Sequence, residues 1–191
     1  HARGALILAA IQHFINLHGG SGSRFAGKLD PARIGLLGHS RGGEAVLVAA
    51  ETLPTIASLS AARLLGGLSL APTHAQATSG RPNGFAYMAM LPAADGDVID
   101  NDGAKFYDQA TPSPFRCQAY LHAANHNFFN PNWPLDEGHG AARLTRAEHE
   151  RILSVYACAF FRGVLRGDNT LRFLRGEEQI THLGLNYYQA D

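Results

Sequence analysis

Four short apolar runs constrain this chain more than anything else in it. They read RIGLLGH, RLLGGLSLAP, FAYMAMLPAAD and FRCQAYLHAA, and each is bounded by glycine, proline or polar residues. Runs of this length between turn signals predict buried strands. Around them lie segments with apolar residues at helical spacing: ARGALILAAIQHFINLHGG, RGGEAVLVAAETL, AKFYDQA and LTRAEHERILSVYACAFFRGVLRG. The first of these stops on Gly19 and Gly20 and the second before Pro54, while the last opens on the capping box Thr145-x-x-Glu148. Buried strands separated by helices predict an α/β fold, a mostly parallel sheet with helices on both faces. Ligands of such sheets bind along the edge formed by the carboxyl ends of the strands.

The remaining totals narrow the class. At 191 residues the chain has the size of one domain, with 46% hydrophobic and 17% charged residues to build a core and a surface. The patterned part runs over 1–167, and 168–191 reads as a weakly patterned C-terminal extension. Lysines and arginines number 16, as do aspartates and glutamates, so the formal net charge is zero. That leaves no electrostatic case for nucleic acid or an anionic membrane surface. No apolar run reaches the length of a membrane span. Cys117 falls in a strand-like run and Cys158 in a helix-like one, without metal-ligand spacing. Two buried free thiols are expected, with a single bridge as the alternative.

The chemistry-bearing segment is the turn between the first strand and the following helix. Gly38, His39, Ser40, Arg41 and Gly42 match G-x-S-x-G, between RIGLL and GGEAVLVAAETL. That context asks for a strand turning abruptly into a helix, with glycines allowing the close approach and the serine held exposed and strained. A nucleophile so placed needs a general base and a group to orient it.

GLLGHSRGGEAV resembles the nucleophile elbow of the α/β-hydrolase fold, in its lipase, cutinase-like and chlorophyllase-like esterase branches. The resemblance extends from the first helix to about Gly167 and implies a partial α/β-hydrolase fold with a triad in the chain order serine, acid, histidine. MLPAADGDVID is similar to the family's G-x-x-D turn, with Ala94 where glycine is usual. That alignment selects Asp97, and Asp95 competes because Ala94 loosens the register. Asp100 and Asp102 read as a solvated acidic turn. Calcium-loop spacing fails at Ile99. QAYLHAANHNFFN places His126 just past a strand end, as the base. His139 in a later loop is its rival, His122 lies within the strand, and His149 reads as a surface residue of a long helix. His39, next to Ser40, is expected to point elsewhere.

An acyl-transfer site also needs donors for the oxyanion, each typically worth about 3 kcal/mol. The backbone N–H of Arg41 would be one. The family's second donor comes from a loop after an earlier strand, and only a helix and a loop precede RIGLL here. The chain therefore reads as the C-terminal part of a catalytic domain, with N-terminal strands expected from the parent chain or another subunit. Without them the RIGLL strand would keep an uncovered apolar edge. Thr73 and His74 follow the second strand at the ligand-binding edge. Phe128, Phe129 and Trp133 follow the base, where they would form an apolar acyl or alcohol pocket or simply pin a long loop. Glu44 reads as a helix-surface carboxylate. The combined expectation is a serine hydrolase of small or polymeric carboxylic esters, without metal or organic cofactor. A peptidase or thioesterase on the same triad, or a non-catalytic binding module, are the alternatives. The resemblance leans toward an extracellular or periplasmic location.

Overall fold

The computed structural model describes residues 2–75, 84–110, 112–133 and 143–178. All four apolar runs form strands: β1 (Ile34–His39), β2 (Leu64–Leu70), β3 (Ala86–Pro92) and β4 (Arg116–Leu121). They lie side by side in chain order, β1-β2-β3-β4, and every pairing is parallel. This is the α/β class expected from the alternation of buried strands and helices.

Burial along each strand follows its place in the sheet. β3 is buried at every position and β2 at all but its first two, which is why both read as continuous apolar runs. β4 alternates exposed and half-buried residues up to Leu121, the pattern of an edge strand. β1 is the other edge among the described strands, and its Leu37 is 51% exposed.

Helices cover both faces. On one side α1 (Ala2–Gly19) packs through Leu8 and Ile11 onto Ala49 and Leu53 at the end of α2 (Arg41–Thr52) and its continuation. Further along that face Leu47 and Val48 of α2 meet Tyr87, Ala89 and Leu91 of β3 and Phe106 of the short α3 (Lys105–Gln109). On the other side α4 (Arg146–Arg166) lays Ile152, Tyr156 and Phe160 against Leu68, Leu70, Met88 and Met90. At roughly 1.5–3 kcal/mol for each large apolar side chain fully buried, these two layers are the main source of stability.

α4 starts as its sequence predicts. Thr145 Oγ1 accepts from the Glu148 N–H and the Glu148 carboxylate accepts from the Thr145 N–H, completing the capping box. The helix ends on Gly167 in the left-handed conformation, φ 75°. The chain then returns in α5 (Leu171–Leu174), which seats Phe173 and Leu174 in the same core as α4, so packing continues past Gly167. Both cysteines are free, Cys117 half-buried and Cys158 exposed, which corrects the expectation that both thiols are buried. Among the described residues no helix is long and apolar enough to cross a membrane.

Candidate active site

The four strands end on one edge, and the segments leaving them carry the candidate residues. Ser40 follows β1, Thr73 and His74 follow β2, Asp95 and Asp97 follow β3, and His126 follows β4. Two backbone bonds lock the last two segments together: Ala93 N–H donates to Leu121 O, and Ala94 N–H to Ala124 O, both at 2.9 Å.

Ser40 stands between β1 and α2 with φ 56° and ψ −124°, a conformation that L-residues other than glycine rarely adopt. Its N–H donates to Leu70 O of β2 at 2.8 Å, and its carbonyl accepts from Gly43 at 2.9 Å. The turn is held by backbone alone, and the Ser40 side chain makes no capping bond to the helix. The two motif glycines are unequal. A Cβ on Gly38 would lie 2.1 Å from the Gly42 carbonyl oxygen, whereas a Cβ on Gly42 would meet nothing within 4 Å. The abrupt turn therefore needs a missing side chain at Gly38, and Gly42 supplies the close backbone. Arg41 opens α2, so its N–H has no acceptor within the helix and lies beside Ser40.

His126 is wholly buried, and Asp95 beside it is nearly so. Asp95 Oδ2 lies 3.0 Å from Nδ1 of His126. Its other oxygen accepts from the Asp97 and Val98 N–H groups at 2.8 and 2.7 Å, which fixes the carboxylate. Since a carboxylate only accepts, Nδ1 carries a proton, and Nε2 is the nitrogen turned away from Asp95. Asp97 is 57% exposed in its side chain, and its Oδ2 stands 3.4 Å from that Nε2. The resemblance to the family's G-x-x-D turn selects Asp97 as the orienting acid, with Asp95 as its competitor. The structure puts Asp95 on Nδ1, because the turn folds the Asp97 and Val98 N–H groups back onto the Asp95 carboxylate and leaves Asp97 on the Nε2 side. Among the described residues Nε2 makes no hydrogen bond, so Ser40 Oγ and His126 are brought to one edge without being joined.

His39 is the residue that sequence reasoning misplaces most. Its ring lies against His126 with centroids 4.6 Å apart, and its Nε2 is 2.9 Å from the His126 backbone carbonyl. The carbonyl accepts, so His39 Nε2 carries the hydrogen. Burial, and after it the neighbouring His126, hold the His39 pKa down to about 4. Strand alternation is the signal that could have found it. Gly35, Leu37 and His39 share one side of β1, and a Cβ on Gly35 would meet Phe161 and Leu165 of α4.

Two more residues expected at the surface are buried. Glu44 accepts from Thr73 Oγ1 at 2.9 Å, tying α2 to the segment after β2. His149 donates through Nε2 to Asn125 O at 3.2 Å, and burial lowers its pKa. His122 is exposed in the turn just after β4 rather than within the strand, and His139 lies outside the described residues. Asp102 is paired with Lys105.

The candidate pocket residues divide. The His74 ring lies tilted against Phe106, centroids 4.6 Å apart. Phe128 has the Arg146 guanidinium 4.3 Å above its ring, and Phe129 meets His149 edge-on at 4.4 Å, so both pin the loop to α4. Trp133 stays 44% exposed, 5.6 Å from the His39 ring. Among the described residues no cluster of histidine, cysteine or carboxylate side chains could hold a metal ion.

No known family model matches the sequence, and no curated protein is detectably similar to it.

Proposed function

We propose that the chain carries the nucleophile, base and acid of a serine hydrolase of the α/β-hydrolase kind, acting on carboxylic esters. The observation that carries this reading is the strained backbone of Ser40 at the end of β1, φ 56°, on the sheet edge that also holds a buried Asp95–His126 pair. Strain of roughly 1–3 kcal/mol persists where the surroundings impose it, and it gathers at working sites.

In this mechanism Ser40 Oγ attacks the ester carbonyl while His126 Nε2 takes its proton. The charge left on the carbonyl oxygen faces the Arg41 N–H. His126 then protonates the departing alkoxide, which leaves an acyl group on Ser40. A water activated by the same nitrogen releases the acid and restores the serine. Asp95 holds the ring in the tautomer this requires and stabilises it when charged. An ester asks less than an amide of a site that offers the Arg41 N–H to the oxyanion, because its alkoxide departs more readily than an amine. The exposed faces of Trp133 and Leu37 would receive an apolar part of the substrate.

One observation favours a second reading, a non-catalytic binding module: Nε2 of His126 has Asp97 as its close charged neighbour and no bond to Ser40. Unliganded catalytic sites often tighten only around substrate. A fluorophosphonate probe separates the two readings. Stoichiometric labelling that disappears in Ser40→Ala supports the hydrolase, and an unlabelled protein supports the binding module.

A further inference from the structure

The base loop has a long way to travel. β4 and β1 are at opposite sides of the described sheet, yet residues of the segment after β4 reach β1 and touch it at His39. His126, Phe129 and Trp133 all place rings within 6 Å of the His39 ring, at 4.6, 5.9 and 5.6 Å. Only one of these contacts is a directed bond, that from His39 Nε2–H to the carbonyl of His126 itself, at 2.9 Å.

We propose that His39 is a positioning residue that clasps the base-bearing loop to the nucleophile strand. It does so by donating a hydrogen bond to the His126 backbone beside the Ser40 turn. This rests on the reading of Ser40 and His126 as nucleophile and base. His39 sits one residue before Ser40, so the bond ties the backbone of the base to the strand that carries the nucleophile. It crosses the ends of β2 and β3 without involving either reacting atom. The neutral ring suits the task, since it donates at Nε2 and adds no charge beside His126 when His126 accepts a proton. His126 and the carboxylates of Asp95 and Asp97 are the ionisable groups that act on the His39 ring.

The test uses His39→Phe, which keeps a ring and removes the donor, and His39→Gln, which keeps an N–H at similar reach. A misplacement of about 1 Å costs on the order of 100-fold in rate. His39→Phe is expected to lower kcat on an activated phenyl ester by about that factor at unchanged KM, with His39→Gln recovering most of the loss. Ring nitrogen NMR of His126 gives a readout independent of turnover: its resonances should move in His39→Phe and stay in place in His39→Gln. His39→Leu serves as a second donor-free variant if the phenylalanine prevents folding. Wild-type kcat and unmoved His126 resonances in the donor-free variant would overturn the proposal. So would equal losses in His39→Phe and His39→Gln. If the wild-type protein fails to react with a fluorophosphonate, the hydrolase reading falls, and the NMR comparison still decides the clasp.

Discussion

Asp95 and Asp97 stand on opposite nitrogens of one buried imidazole, Asp95 at 3.0 Å from Nδ1 of His126 and Asp97 at 3.4 Å from Nε2. Their substitutions should differ sharply. Asp95→Asn frees the ring to take the wrong tautomer and is expected to slow labelling of Ser40 by roughly 10⁴-fold. Asp97→Asn removes an exposed carboxylate from the side that must face Ser40, and labelling should stay within a few-fold of wild type or rise. The second-order rate of fluorophosphonate labelling measures both, and a reversed order would return the acid to Asp97.

The elbow makes a prediction about glycines that the motif alone does not. Gly38→Ala forces a methyl into the Gly42 backbone and should destabilise the protein by about 3 kcal/mol while abolishing Ser40 labelling. Gly42→Ala has open space at a helical position and should leave stability unchanged or raise it by up to about 1 kcal/mol. Ser40→Gly, by relieving φ 56°, should raise stability by about 1 kcal/mol as activity vanishes. Chemical denaturation of the variants tests all of these.

Acid should weaken the fold through His39. Its pKa falls from an ordinary 6.5 to about 4 on folding, so between those values the unfolded chain binds more protons. Stability is then full above about 6.5 and declines as pH falls toward 4. In His39→Gln this part of the decline should disappear, leaving that of other buried groups such as His149. Denaturation midpoints measured from pH 7 to pH 4 in both proteins give the comparison.

The two thiols should react at very different rates. Cys158 is exposed, whereas burial pushes the Cys117 thiol up to about 11 and its Sγ–H points to Leu174 O at 3.4 Å. At pH 8 a thiol reagent should modify one cysteine in the native protein and the second only after unfolding. Counting modified thiols by mass checks it.

The strands were legible because a strand buried on both faces has to be a continuous apolar run, as FAYMAMLP is. The Ser40 turn was legible because glycine is needed where backbone meets backbone. The acidic turn was harder: no period says which of Asp95 and Asp97 meets Nδ1 of His126, and the outcome depends on N–H groups folding back onto one carboxylate. His149 and Glu44 were misread for a different reason. His149 shares the buried stripe of Ile152, Tyr156 and Phe160, and Glu44 lies inside a stretch buried from Gly43 to Ala49. In both cases spacing indicated burial and the ionisable side chain argued against it. Spacing prevailed because each found a partner, His149 in the Asn125 carbonyl and Glu44 in the Thr73 hydroxyl.

The clasp from His39 to His126 joins positions 87 residues apart. During synthesis the Ser40 turn leaves the ribosome long before His126, and the segment carrying His126 meets β1 only after β2, β3 and β4 have been made. In the proposed mechanism Ser40 has nothing to take its proton until then. Contacts this distant in sequence form late in folding. Under the proposed mechanism the onset of Ser40 labelling during refolding is thus a clock for completion of the sheet.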